Sequence, residues 1–285
     1  MNYTYIKDIE FIKEVLNLND QQFYEETGIS RSTINNWELG KNGISDRLLE
    51  RLYSFAYKNG IRLNSLKEQL FTDEKKKNET ILFHGAKNEL TGEIDLSKSK
   101  INNDFGKGFY LGESFLQSAS YICSYPKGSV YIFSYRNDKK LKTLEYDISE
   151  DWILAIAYYR KRLEKYKNHP KIQKIIKEIE RSDIVIAPIA DNNMYQIIDE
   201  FINGNISDKQ CIGSLSATDL GKQHVFISKR SLGCLKEIHR CYLCSEEKDD
   251  YLQRRAERSR TGIQKTKYIN REYAGKGKYI EELLK

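Results

Sequence analysis

No apolar run in the 285 residues approaches the ~20 that a membrane span needs. Residues 1–10 are polar and lack the apolar stretch of a signal peptide. The two absences predict a cytoplasmic protein with no membrane partner. Proline (3) and methionine (2) are scarce beside abundant Lys, Asn and Ile, a skew that fits a low-GC coding sequence and says little about function. Cysteine numbers five, an odd count that argues for free thiols rather than a disulfide framework. A second C-x-x-C is missing. Cys241 and Cys244 form the one present, with Cys234 and His239 nearby, and zinc needs four ligands in suitable geometry. The expectation is no metal, with thiols packed near a domain edge. Basic surplus is also missing where a DNA reader would want it. Residues 1–72 hold 9 Lys/Arg against 10 Asp/Glu, so the net charge of +6 resides in the remainder.

The composition, 39% hydrophobic and 31% charged, is that of a soluble globular chain long enough for two domains. Residues 6–70 read as helices. Ile6, Ile9, Ile12, Val15 and Leu16 recur at helical spacing, as do Leu48, Leu49, Leu52, Phe55 and Ala56. The polar run TDEKKKNET predicts a linker over 73–79 between a domain at 1–72 and one at 80–248. Beyond it come six short strand-like runs: 81–86, 108–112, 130–135, 144–146, 184–189 and 224–228. Helical stretches at 114–123, 151–166, 170–181 and 193–202 fall irregularly among them. That order predicts an α+β fold rather than a regular βαβ alternation. From Asp249 the chain reads as a charged helical tail with 10 Lys/Arg against 6 Asp/Glu. It is either a solvated helix or a contact surface for nucleic acid or an acidic partner.

Residues 18–40 read LNDQQFYEETGISRSTINNWELG. Gly28 supplies a turn, and Ser30 can cap the helix that follows. Ile34 and Trp37 then face inward, while Arg31, Ser32, Thr33, Asn35 and Asn36 face outward. An Arg with short polar side chains at the start of a second helix suits the major groove. The stretch resembles the helix-turn-helix of phage-repressor-type regulators, which implies operator DNA as a partner through residues 30–37. Asp20 stands where that family has a phosphate-touching Gln, and Tyr24 where it has Ala. The alternative is a helical module that docks on the second domain or on a partner protein.

Three further segments carry chemistry: ILFHGA, DFGKGFYLGESFLQSASYI and LGKQHVFIS. Singly they are bland. His84 ends a strand, Gly106 and Gly108 permit a turn, Tyr110 packs in a strand, and Gln223 begins one. Together they resemble the ADP-ribosyltransferase superfamily in its His-Tyr-Glu branch, which includes poly-ADP-ribose polymerases. DFGKGFYL resembles most closely an uncharacterised bacterial family in that group, as do DIVIAPIADNNMY and GKGKYIEELL. The resemblance spans residues 80–285.

It implies NAD⁺ as substrate, with Gly85, Gly106, Lys107 and Gly108 in its binding site. His84 would bond an adenosine-ribose hydroxyl, the Gly85 backbone would hold the carboxamide, and Tyr110 would stack on the nicotinamide. The loop 97–107, with Lys98, Lys100, Asn102 and Lys107, would cover the pyrophosphate. Gln223 stands where the polymerases have Glu, and an amide holds a hydroxyl without taking a proton. Single transfer or hydrolysis therefore replaces chain elongation. Asp191 and His224 are the candidate bases, though Asp191 equally suits a helix cap. The implied function is mono-ADP-ribosylation of a protein or nucleic acid by a toxin-like effector, regulated through its helix-turn-helix and countered by an antitoxin. The alternatives are an NAD⁺-sensing regulator without catalysis and an NAD⁺ glycohydrolase. NAD⁺ binding is expected to survive in the fragment 80–285 alone.

Overall fold

The computed structural model describes residues 4–217 and 220–285. Its N-terminal elements are α1 (Tyr5–Val15), α2 (Asp20–Thr27), α3 (Arg31–Glu38), α4 (Asp46–Lys58) and α5 (Leu63–Asp73). There follow β1 (Glu79–Ala86), β2 (Phe109–Gly112), α6 (Phe115–Ile122), β3 (Ser129–Arg136), β4 (Thr143–Glu145), α7 (Glu150–Tyr159) and α8 (Pro170–Glu180). The rest are β5 (Ile184–Pro188), α9 (Asn192–Ile202), α10 (Asp208–Ser216), β6 (Lys222–Phe226), α11 (Lys229–Leu232), β7 (Leu235–Tyr242), α12 (Ser245–Glu272) and α13 (Ile280–Leu283). The fold is α+β, helical at the N-terminus and mixed after it, as the order of apolar patterns requires.

Compact units are not contiguous in sequence. One comprises Met1–Leu90, Phe115–Tyr135 and Lys236–Arg254; the other comprises Thr91–Ser114, Arg136–Leu235 and Arg255–Lys285.

In the first unit, local chemistry sets the helix ends. Asn19 and Gln22 form a reciprocal capping box on α2, and Gly28 closes that helix at φ +69°. Ser30 caps α3 by accepting from the Thr33 N–H at 3.2 Å. Ile12, Phe23, Ile34, Trp37 and Leu52 fill the core, each contributing about 1.5–3 kcal/mol through burial. That core also includes Cys244, with Tyr242 packed against it. Polar contacts join α4 and α5 to the end of β7 and the start of α12. Tyr242 donates to Glu50 and Ser54 to Glu246, each at 2.8 Å. The Asn64 amide donates to the Tyr242 carbonyl and to Glu247, again at 2.8 Å. A second cluster, built on Phe83, Phe115, Ile122, Ile132 and Cys241, lies where α6 meets strands ordered β1-β3-β7.

The second unit has strands in the order β4-β5-β6-β2. β4 and β5 run parallel, whereas β5–β6 and β6–β2 are antiparallel. Tyr110 pairs with Val225 and Gly112 with Gln223, while Val185 and Ala187 pair with the same two β6 residues. By strand alternation these six share one face. Val185, Ala187 and Val225 of that face join a core with Trp152, Ile156, Ile176, Met194 and Phe201 of α7, α8 and α9.

Several elements depart from the sequence expectation. The strand β7, LKEIHRCY, adds a seventh to the six anticipated. Its charged residues conceal it, and Arg240 is buried through an ion pair with Glu89 at 2.7 Å. The helix expected over 151–166 stops at Tyr159, because Lys161 takes a left-handed φ of +60°. The helix α10 carries Gly213 mid-way, which obscured it; a Cβ there would lie 2.9 Å from Ile269 of α12. The tail helix begins at Ser245, ahead of Asp249. No helix among the described residues is long and apolar enough to cross a membrane.

Candidate functional site

The turn before β2 is held by its own residues. Gly106 adopts φ +73°, which a side chain would disfavour. The Tyr110 hydroxyl donates to the Gly106 carbonyl at 2.8 Å and accepts from the Phe105 N–H at 3.1 Å. Ser99 Oγ accepts from the Gly108 N–H at 3.2 Å and from the Asn103 amide at 3.1 Å. A Cβ on Gly108 would lie 2.6 Å from Val225 Cγ1, so the glycine is what lets β2 approach β6. Lys98, Lys100, Asn102 and Lys107 are exposed around this loop.

Gln223, at the start of β6, is buried. Its Nε2 donates to Asp104 Oδ2 and to the Pro188 carbonyl, both at 3.2 Å. Those two bonds use both N–H groups of the amide and leave its carbonyl oxygen as the end that accepts. Asp104 is the centre of the cluster. Its Oδ1 accepts from Arg160 Nε, Arg160 Nη2 and the Tyr195 hydroxyl, each at 2.8 Å. The Arg160 guanidinium lies 3.5 Å over the Tyr195 ring. Burial, with Asp104 close by, pushes the Tyr110 and Tyr195 hydroxyls far above the ordinary phenol range. Both stay protonated, as their donor roles require.

The structure thus brings together Gly106, Gly108, Tyr110 and Gln223, and adds Asp104, Arg160 and Tyr195. Sequence reasoning missed these three. Asp104 opens the DFGKGFYL phrase and Tyr195 closes DIVIAPIADNNMY, and those were the available signals; Arg160 comes from the end of a helical stretch with no motif. His84 and Gly85 belong to the other compact unit, on β1. There Ser118 Oγ donates to the Phe83 carbonyl at 3.0 Å, and a Cβ on Gly85 would lie 2.5 Å from the Ser118 carbonyl oxygen. The glycine therefore admits α6 against β1.

The two candidate bases differ. Asp191 is the N-cap of α9, accepting from the N–H groups of Asn193 at 3.0 Å and Met194 at 2.9 Å. His224 Nε2 meets Glu113 at 2.8 Å. It points to the sheet face opposite Gln223, and burial lowers its pKa although Glu113 opposes the shift. The thiols of Cys241 and Cys244 belong to different hydrophobic clusters, and burial pushes each up to about 12.

On α3, Ile34 and Trp37 are buried, while Arg31, Ser32 and Asn35 are exposed and Thr33 and Asn36 half-buried. Asp20 binds Lys13 and lies 3.9 Å from Arg31. The contacts to β7 and α12 come from α4, α5 and the Thr4 N-cap of α1 rather than from α3.

Residues 80–237 match the family described as protein of unknown function, DUF3990, and residues 13–52 match the helix-turn-helix family. The chain belongs to the DUF3990 family. Its DUF3990 segment begins within β1 and ends within β7. Asp104, Tyr110, Arg160, Tyr195 and Gln223 all fall inside it. The helix-turn-helix match covers α2 and α3 and most of α4. No curated protein and no solved structure matches the chain.

Proposed function

We propose that this DUF3990 protein binds NAD⁺ and transfers a single ADP-ribose unit to a macromolecular acceptor, with the helix-turn-helix reading operator DNA. The observation that carries the reading is the relation of Tyr110 to Gln223. They occupy diagonal positions on one face of adjacent antiparallel strands, which puts them about 7–8 Å apart. That separation matches a ring stacked on Tyr110 and its attached ribose reaching the Gln223 carbonyl.

The chemistry follows from what each group can hold. The bond between ribose C1′ and the nicotinamide nitrogen breaks, and both its electrons leave with the neutral ring. The positive charge that develops on the ribose needs electrostatic support. Gln223 accepts from a ribose hydroxyl, and the Asp104 carboxylate, itself paired with Arg160, fixes the direction of the amide. An acceptor nucleophile then forms the new bond at C1′ and loses its proton to solvent or a base, since Gln223 has no usable pKa.

Labelled NAD⁺ incubated with the full chain and a mixture of protein, DNA and RNA tests it. Label transferred to one macromolecular class is the expected result. Free ADP-ribose alone would make the protein an NAD⁺ glycohydrolase, and no turnover with intact binding would make it a sensor.

The α3 surface supports the DNA reading through exposed Arg31, Ser32 and Asn35, the side-chain types that reach base edges. Asp20 is engaged by Lys13 and Arg31, which offsets the repulsion it would present to phosphate. An antitoxin and a toxin-like role belong to the same proposal.

A further inference from the structure

We infer that the exposed face of α12 between residues 260 and 271 is a binding surface for single-stranded nucleic acid, independent of the helix-turn-helix and of the NAD⁺ reading. Residues 258–271 contain five basic side chains and no acidic one. Arg260, Gln264, Lys267, Tyr268 and Arg271 recur at steps of one, three and four and are all exposed, so they share one face. Tyr268 is 70% exposed, the most open large hydrophobic side chain among the described residues. Ile263, at the edge of the stripe, is also exposed.

The opposite side of this helix is fixed. Gln210 donates to the Asn270 carbonyl at 2.8 Å, Ser214 to the Asn270 side chain at 3.1 Å, and Asn193 to Ser259 at 2.8 Å. The stripe is therefore presented on an anchored element.

Its charge pattern separates it from an ordinary solvated face. Solvated helices interleave signs, as Asp250 and Arg254 do at 3.0 Å earlier in α12. From Arg260 to Arg271 no carboxylate comes within ion-pairing distance of Arg260, Lys267 or Arg271 among the described residues. Lys267 and Arg271 sit at i,i+4, a like-charge spacing that weakens a helix. A polyanion turns that local cost into affinity.

The aromatic selects the polyanion. From Arg260 to Arg271 the face spans ~16 Å at the helical rise, room for about five nucleotides at ~3.4 Å each. An exposed Tyr flanked by cations offers a stacking platform to an unpaired base, whereas in a duplex the base faces are already stacked. An acidic peptide would use the charges and leave Tyr268 without a stacking partner.

The test uses the full chain with fluorescent oligo-dT, a duplex of equal length, and poly-Glu, across a salt series. Binding of oligo-dT over the other two is expected. The triple variant Arg260→Gln/Lys267→Gln/Arg271→Gln should bind at least ~10-fold more weakly and lower the salt slope by about 2, the value for three contacts to a single strand. Tyr268→Ala should weaken binding ~5-fold or more without changing that slope. Thermal midpoints should hold, since the altered side chains are exposed. Asn35→Ala/Asn36→Ala should bind oligo-dT normally. The inference is overturned if the wild type fails to bind oligo-dT, prefers duplex or poly-Glu, or binds as well after the triple change.

Discussion

Gln223 and Asp104 illustrate how one amide can be given a direction. With both N–H groups bound to Asp104 and Pro188, the side chain can only offer its oxygen. Gln223→Ala is expected to lower NAD⁺ turnover while Tyr110 still holds the ring. Gln223→Glu puts a second carboxylate against Asp104, and the repulsion raises one pKa of the pair. Its activity should therefore gain a titration step that the wild type lacks, as turnover across pH will read. Wild-type turnover in Gln223→Ala would place that residue outside the site. Tyr110→Ala should weaken NAD⁺ binding by about 1 kcal/mol or more through the lost stack, measured by calorimetry. Gly85→Ala has a structural prediction of its own. The added methyl meets a backbone oxygen rather than a mobile side-chain tip, so urea denaturation should show a loss of about 1–3 kcal/mol.

Among elements, the recognition helix was the most legible in sequence, and its caps explain why. Asn19, Gly28 and Ser30 are residue types whose side chains or φ freedom dictate helix ends locally, with no need of distant partners. If α3 reads DNA, Asn35→Ala/Asn36→Ala should abolish retention of the promoter fragment in a gel shift and leave the circular dichroism spectrum unchanged. The strand β7 was illegible for the opposite reason: Arg240 is tolerated inside because partners distant in sequence reach it, Glu89 some 150 residues away and Ser129 some 110. The candidate site divides in the same way. Tyr110, Gly106 and Gln223 stood out through short motifs, whereas Arg160 and Tyr195 meet a carboxylate distant in sequence. Single-helix patterns carry no trace of that.

For the molecule as a whole, stability rests on contacts between distant segments. Cutting at residue 79 would strip Cys244, Tyr242 and Phe71 of the packing they share or supply. The fragment 80–285 should melt well below the full chain in calorimetry even where it retains NAD⁺ binding. Two buried groups at this junction also shape the pH response. Burial holds the Glu247 carboxyl up to about 7, against the opposing bonds from Tyr251 and Asn64 and the charges of Arg62 and Lys67. Its stabilisation is full below the ordinary value of 4.5 and disappears as pH rises through 7. Burial, helped by Lys67 and opposed by Asp8, pushes His239 down to about 4. Its stabilisation is full above 6.5 and disappears as pH falls through 4. Between these limits the two slopes oppose each other. Glu247→Gln should be more stable than the wild type at pH 7.5, on the order of 2 kcal/mol. It should also lose stability steadily on acidification, as urea titrations at several pH values will read. A pH profile indistinguishable from the wild type would remove Glu247 from this account.

The discontinuous first unit has a consequence in time as well as in space. During synthesis α5 leaves the ribosome with its last residue, Asp73, some 170 residues ahead of Cys244. At about 5–20 residues per second, the helical module waits roughly 10–30 s for the segment that completes its core. Throughout that interval the nascent chain already displays α3 but lacks the partners of Glu50, Ser54 and Asn64. Any hold that the protein exerts on its own gene through this module would await the synthesis of that later segment.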